Sequence, residues 1–361
     1  MRWTDEAELK DIVQPWLVEV EMTKSVSILY LQSMDTVEFT LSGPPGVYAG
    51  MTVWHVSGTG GHKKGINTNK NFKKMVGCFE LAEPADGSIV QEPRSIVFAM
   101  PDSKQEVRLK FIFKDLCGKF VFIAAAGDSK TDLLQALGSR DIQEPLKRGS
   151  FEIKTVYQQG LISISNFKEE EKRKGNAYHD GTLVLYQGDT EQEYHSLETS
   201  HYGQPELIEK ICEVANRLCR KYPNGQIWIN DMSLPDGGTF KENNIATKGH
   251  ESHKTGRQVD ISFKNMTSTE LGNPAVKKMQ RIDLDIIIRS VFGNGNVLFH
   301  GGPKGWHWHC SLDPAGGTDQ PVLDVFVEYY RSGKRRKDFT DFLKKYGFFE
   351  DVVRMIKHEQ K

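Results

Sequence analysis

The chain has 361 residues, of which 38% are hydrophobic and 26% are charged, and this is typical of a soluble globular protein with two domains. Its formal net charge of −1 gives no global reason to expect nucleic-acid binding. No stretch reaches the length of a membrane span, so we do not expect membrane insertion.

The N-terminus, Met1–Glu8, is acidic and lacks the apolar run of a signal peptide. The five cysteines are odd in number, form no Cys-x-x-Cys pair and are typical of reduced thiols. We therefore expect the chain to be made in the cytoplasm without a signal peptide.

The first third of the chain is predicted to consist mainly of strands. Val37–Leu41 and Val107–Phe113 alternate between apolar and polar side chains, and Lys119–Ala124 has the continuous apolar character of a buried strand. This pattern favours a β-sandwich or a β-barrel. His55 and His62 have no carboxylate or cysteine at ligand spacing, so we place them on a surface loop and not in a metal site.

A short helix over Thr131–Leu137 is predicted to precede a polar segment, Pro145–Ser150, that contains a proline and a glycine. We take this segment as the domain boundary. It divides the chain into a β-rich domain at residues 1–148 and a second domain at residues 149–361.

Helices and strands mix in the second domain. Pro205–Tyr222 carries apolar residues at helical spacing, with a proline in the first turn, and Gln226–Ile229 is predicted to be a strand. A further helix is predicted over Pro274–Phe292, followed by a strand at Val297–His300. Two or three helices are expected after Asp319.

Two imidazoles and a carboxylate lie close together in the segment His250–Ile261. Along a straight strand His253 and Asp260 would be ~20 Å apart, which is too far to share an ion. A turn at Thr255-Gly256 brings them together, because glycine tolerates the dihedral angles of a chain reversal. A histidine and an aspartate are common in catalytic zinc sites, which have three protein ligands and one open position.

The third ligand is expected from Gly305–Cys310, where histidine and tryptophan alternate. On a strand, His307 and His309 share one face while Trp306 and Trp308 point to the other, where we expect them to anchor the core. One of the two histidines can bind the metal while the other reaches the attacking water. The alternatives are histidines satisfied by ordinary hydrogen bonds and a purely structural metal.

Taken together, these motifs resemble the penicillin-insensitive murein endopeptidases, within the zinc peptidases of the lysostaphin and D-Ala-D-Ala metallopeptidase group. The resemblance covers residues from about 195 to 314, a third of the chain. The matching pieces occur in the family's order: Tyr202-Gly203 with Pro205, Asp231-Met232 with Pro235 and Gly237-Gly238, Gly249-His250, Ser252-His253, Gly256, Val259-Asp260-Ile261, and His307-Trp308-His309.

The resemblance implies that His253, Asp260 and His309 bind Zn²⁺ and that His307 is the catalytic base. The expected fold class is α+β. We expect a β-rich N-terminal domain followed by a zinc-peptidase domain with a small antiparallel sheet flanked by helices. The roles considered for the N-terminal domain are delivery, an adaptor function and wall binding.

Other residues match the family less closely. The resemblance makes His250 and Asp231 substrate-binding or supporting residues, and we carry His300 over only as a pocket residue. Gln204 stands where the family tends to have a histidine. Gln258 replaces an acid often found two residues before the ligand aspartate, so we expect the support of the ligands to differ.

The expected function is a zinc-dependent D,D-endopeptidase that cleaves the D-alanyl to diaminopimelate bond of peptidoglycan cross-links. The alternatives are a D,D-carboxypeptidase of the same group and a non-catalytic peptidoglycan-binding module. We expect action in the periplasm or cell wall of a target cell after delivery that bypasses the Sec pathway. An antibacterial effector of a contact-dependent system such as type VI secretion, with an immunity protein as partner, is slightly preferred over a phage lysis or tail component.

Overall fold

The fold is taken from a computed structural model of the chain. The residues that it describes are 19–22, 27–32, 35–57, 77–81, 90–92, 94–101, 106–114, 117–139, 147–167, 183–185, 201–222, 225–230, 232–233, 236–238, 253–263, 274–301, 306–314 and 320–359. They fall into two compact units, one formed by Met1–Gln159 and Gly238–Glu251 and one formed by Gly160–Gly237 and Ser252–Lys361.

The first unit is built from two sheets. Its elements are β1 (Glu19–Met22), β2 (Ile28–Tyr30), β3 (Thr36–Ser42), β4 (Tyr48–Ser57), β5 (Gly77–Leu81), β6 (Val90–Glu92), β7 (Ser95–Ala99), β8 (Glu106–Phe113), β9 (Gly118–Gly127), helix α1 (Lys130–Gly138) and β10 (Lys147–Val156). One sheet has the order β1-β3-β8-β5, and the other has the order β2-β10-β9-β4-β7-β6. Neighbouring strands are antiparallel except for the parallel pair of β2 and β10.

The apolar faces of the two sheets pack against each other. Phe39 on β3 and Phe111 on β8 contact Phe122 on β9, with ring centroids 5.1 and 5.0 Å apart. All three rings are fully buried, and burial of each contributes roughly 1.5–3 kcal/mol. The predicted β-rich N-terminal part is therefore confirmed as a sandwich.

Two predictions for this unit were wrong. The boundary predicted at residues 148/149 falls inside β10, which continues to Val156 and pairs with β9 and β2, so the division lies after Gln159. The polar Lys147-Arg148-Gly149-Ser150 segment suggested a linker, but it is the first part of this strand. His55 is 5% exposed on β4 and not on a surface loop, and its pKa is lowered by burial. His62 lies outside the described residues.

The second unit contains a mixed sheet and several helices. Its elements are β11 (Ile162–Ser163), β12 (Leu183–Leu185), β13 (Tyr202–Gly203), α2 (Pro205–Lys221), β14 (Ile227–Ile229), β15 (Gln258–Ser262), α3 (Pro274–Phe292), β16 (Val297–His300), β17 (His307–Ser311), α4 (Val322–Arg331), α5 (Arg336–Tyr346) and α6 (Phe349–Glu359). The main sheet has the order β12-β14-β15-β17-β16. Its pairs are antiparallel except for β12 with β14.

The predicted helices and strands of this unit agree with the structure, and the α+β class is confirmed. Trp306 and Trp308 are 2% and 0% exposed in the core, as predicted. Trp308 packs on Phe263, the residue after β15, and Trp306 packs on Phe326 of α4. None of the helices in the described part of the chain is long and apolar enough to cross a membrane.

Candidate metal centre

The register of two strands brings His307 and His309 close to Asp260. β15 and β17 are antiparallel, with Asp260 opposite His309 and Ser262 opposite His307. Because side chains alternate along a strand, Asp260, His307 and His309 share one face of the sheet, while Trp308 points into the core behind it. The predicted alternation of histidine and tryptophan is confirmed.

A tight turn brings His253 to the same place. Gly256 has φ +67°, a left-handed conformation that favours glycine. A Cβ at this position would lie 2.3 Å from Leu161 Cδ2 and 3.2 Å from Gly203 Cα. The predicted reversal at Thr255-Gly256 is therefore present, and only glycine fits there.

Two imidazoles and one carboxylate converge between this turn and the two strands. One ligand atom from each of His253, Asp260 and His309 lies within 4.8 Å of the other two. His309 Nδ1 is 2.8 Å from Asp260 Oδ1, and His253 Nε2 is 3.5 Å from Asp260 Oδ2. Ligand atoms of a tetrahedral zinc site lie ~3.4 Å apart, so small side-chain rotations bring this group to metal-binding distances. The donor set fits a divalent metal that takes nitrogen and oxygen ligands.

The backbone orients His253. Its Nδ1–H donates to the carbonyl oxygen of Gln258 at 3.4 Å, which turns Nε2 toward Asp260. A metal-binding histidine commonly donates its second ring N–H to such an acceptor. A main-chain carbonyl therefore supports His253, although the acid that often stands at position 258 in the family is a glutamine here.

The surroundings of Asp260 favour its charged form. Burial alone raises the pKa of this carboxyl group, but His253 and His309 hydrogen-bond to it and His307 lies nearby. Together the three imidazoles hold the pKa of Asp260 well below its usual range. A carboxylate that stays ionised at neutral pH is the form that binds metal.

His307 occupies a different position from the three clustered residues. Its Nε2 is 3.7 Å from Asp260 Oδ2, and its side chain is 19% exposed, whereas the side chain of His253 is fully buried. His307 therefore lies beside the cluster and is its most solvent-exposed neighbour among these four side chains. This position suits a group that exchanges protons with a reacting molecule.

His300 lies directly across the hairpin from His307. The two residues are paired in the register of β16 and β17, and their ring centroids are 4.2 Å apart. Desolvation by its surroundings is the larger cause that lowers the pKa of His300 to about 4, and the neighbouring His307 is the second. His300 is therefore neutral near pH 7, with one ring nitrogen that can accept a hydrogen bond and one that can donate.

Asp231 and His250 lie outside the described residues. Their assignments as substrate-binding or supporting residues stay predictions. The roles of His253, Asp260 and His309 as ligands and of His307 as a base also stay predictions, although the structure brings all four side chains together.

A group of polar side chains that the sequence did not predict holds the turn that carries His253. Arg257 donates through Nε and Nη2 to both carboxylate oxygens of Asp313, at 2.7 and 2.9 Å, and through Nη1 to Gln204 Oε1 at 2.9 Å. Gln204 Nε2 in turn donates to the carbonyl of Thr255 at 3.2 Å. Gln204 thus ties the start of α2 to the turn. The only sequence signal was that a glutamine replaced the family's histidine.

Comparison with known proteins gives one family match. Residues 179–290 match the family profile described as penicillin-insensitive murein endopeptidase. The matched segment contains His253 and Asp260 and ends before His307 and His309, and it confirms the resemblance found from the sequence. No curated protein sequence matches the chain.

Similarities to solved structures are weak. The human F-spondin reeler domain is 9% identical, with 38% of this chain and 91% of that chain covered at a TM-score of 0.25. The bacterial hydrophobin BslA is 11% identical, with 39% of this chain and 91% of that chain covered at a TM-score of 0.17. Neither similarity supports a functional argument.

Proposed function

We propose that this chain is a zinc-dependent murein endopeptidase, starting from the membership of residues 179–290 in the penicillin-insensitive murein endopeptidase family. That family consists of metallopeptidases that act on peptidoglycan. The observation that carries the proposal is the His253–Asp260–His309 cluster, in which two side chains of the matched segment meet a third from β17.

Zinc is the metal that best suits this cluster. Two imidazoles and one carboxylate form a three-ligand set typical of catalytic zinc sites, in which the fourth position stays open. A bound zinc ion supplies Lewis acidity, which polarises a carbonyl group and makes water more acidic. The side chains of His253, Asp260 and His309 would hold the ion, and Gln258 would keep His253 in the tautomer that binds through Nε2.

The remaining histidines perform the proton transfers and the substrate contacts. His307 accepts the proton of the attacking water and returns it to the amine that leaves, which is work suited to an imidazole near neutral pH. His300, neutral beside it, contacts the substrate. We take the D-alanyl to diaminopimelate bond as the one cleaved, in keeping with the family.

Digestion of purified sacculi tests this function. We expect the chain with zinc to convert cross-linked muropeptides into monomers of unchanged stem length, and mass spectrometry identifies these products. Chelator treatment should stop the reaction, and added zinc should restore it. Release of D-alanine without loss of cross-links would identify a D,D-carboxypeptidase, and sacculi that bind the protein but stay intact would identify a binding module.

We further propose that the chain acts in the periplasm or cell wall of a target cell and that its first unit serves delivery or wall binding. The substrate supports this location, since peptidoglycan lies outside the cytosol. The first unit is a compact sandwich with its own core, and a separate domain of this kind suits a role in delivery or wall binding.

Expression in a Gram-negative host tests the place of action. We expect rounding or lysis when a secretory signal sends the chain to the periplasm, and normal growth when the same chain stays in the cytosol. The His309→Ala variant should be harmless in both places. Equal toxicity of the cytosolic form would contradict the proposal, because the cytosol contains no cross-linked wall.

A further inference from the structure

Trp308 makes a hydrogen bond that links β17 to the helix behind it. Its Nε1–H donates to Asp285 Oδ1 on α3 at 2.8 Å. Trp308 is fully buried and Asp285 is 4% exposed. Because Trp308 lies between His307 and His309, this bond holds the back of the strand directly behind the two histidines.

Asp285 is the centre of a buried polar group. Arg289, one helical turn later, donates from Nε to both carboxylate oxygens at 3.1 and 3.2 Å, and from Nη2 to the carbonyl of Gln320 at 2.6 Å. The N–H of Val322, at the start of α4, points at the same carboxylate from 3.5 Å. Burial raises the pKa of Asp285 even with these partners. Burial of a carboxylate costs free energy of folding, so we looked for a role of this group beyond packing.

The bond from Trp308 constrains the strand in a way that its apolar contacts do not. The rings of Phe263 and Phe299 pack on Trp308 at 5.4 and 5.3 Å, and such contacts tolerate small displacements. A hydrogen bond weakens steeply when its angle or distance changes. Backbone pairing of β17 fixes its register in whole residues, whereas a metal site requires its ligands within about 0.5 Å.

We propose that Asp285 is a positioning residue for the metal centre, acting through Trp308 to set the tilt of β17 and so the places of His309 and His307. The inference rests on the proposed zinc site. In this arrangement the Asp285–Arg289 pair serves geometric specificity, the best-attested use of a buried ion pair.

The Asp285→Asn variant tests this inference. An asparagine keeps the shape but presents an N–H group toward Arg289 or Val322, so the amide cannot satisfy all three donors. We expect zinc affinity, measured by competition with a chelating indicator, to fall by about 10–100-fold. The visible spectrum of the Co²⁺-loaded variant should also shift, because it reports the ligand geometry and does not depend on turnover.

Asp283→Asn is the matched control. Asp283 is 7% exposed on the same helix, and it pairs with Lys221 at the end of α2 and with Tyr222, the residue that follows. The two aspartates are about 200° apart around the helix, so Asp283 faces away from β17. We expect Asp283→Asn to lower the denaturation midpoint while zinc affinity and the Co²⁺ spectrum stay those of the wild type.

A second pair of variants covers failure of Asp285→Asn to fold. Trp308→Phe removes the indole N–H, and Trp306→Phe removes a similar volume immediately before β17 without breaking the bond to Asp285. We expect weaker zinc binding only in Trp308→Phe. The inference would be overturned if Asp285→Asn bound zinc as tightly as Asp283→Asn, or if Trp308→Phe bound it as tightly as Trp306→Phe. Asp285 would then be a packing residue. A wild-type chain that binds no zinc would instead overturn the proposed metal centre, and the inference with it.

Discussion

The Asp260→Asn variant is expected to lose its metal. The change keeps the side-chain shape, and His309 Nδ1–H can still donate to the amide oxygen, so the fold should survive. The negative charge that draws the cation and the imidazoles together is removed, and a three-ligand site depends on each ligand. Elemental analysis should show zinc falling from one per chain to near zero, and His253→Ala and His309→Ala should behave alike.

Thermal unfolding gives an independent measurement of the same effect. Metal that binds only the folded state stabilises it by about 4 kcal/mol when free zinc is 1,000 times the dissociation constant. We expect a chelator to lower the unfolding temperature of the second unit in the wild type and in the Asp283→Asn control, but not in Asp260→Asn. A full zinc content in all three ligand variants would remove the assignment.

Local sequence patterns predicted most of the second unit. The helix at Pro274–Phe292 has the predicted bounds, and the alternation in Trp306–His309 gave the correct two faces of β17. Patterns of this kind depend on the periods of helices and strands, which a sequence displays directly. The boundary at residue 148 was wrong because the pairing of β10 with β9 and β2 is non-local, and a polar, glycine-containing segment hid a strand.

The site was predictable to a similar extent. Gly256 made the approach of His253 to Asp260 predictable, because a chain reversal at this glycine brings the residues on either side of it together. The approach of Asp285 to Trp308 depends on how α3 packs on the sheet, which no local pattern shows. A signal was nevertheless present, because an acid inside the apolar run Leu284–Ile288 is seldom buried without a partner. The support of His253 by Gln258 came from a backbone carbonyl, which side-chain identity does not reveal.

The His307→Ala variant is expected to separate catalysis from metal binding. His307 lies outside the three-residue cluster, with Nε2 3.7 Å from Asp260 Oδ2, so zinc should stay at one per chain. Loss of a general base lowers the rate by roughly 10²–10⁴-fold. This corresponds to about 2.7–5.4 kcal/mol of lost transition-state stabilisation. Cleavage of a soluble cross-linked muropeptide dimer, measured in zinc-saturated protein, tests the result.

His300→Ala is the matched comparison, because its ring lies 4.2 Å from that of His307 across the hairpin. As a substrate contact it should raise KM with a smaller effect on kcat. Added imidazole should restore part of the activity of His307→Ala, since it replaces the missing base, and should leave His300→Ala unchanged. Loss of zinc from His307→Ala equal to that from His309→Ala would mean that the two histidines share or exchange their roles, and the assignment of His307 as the base would be wrong.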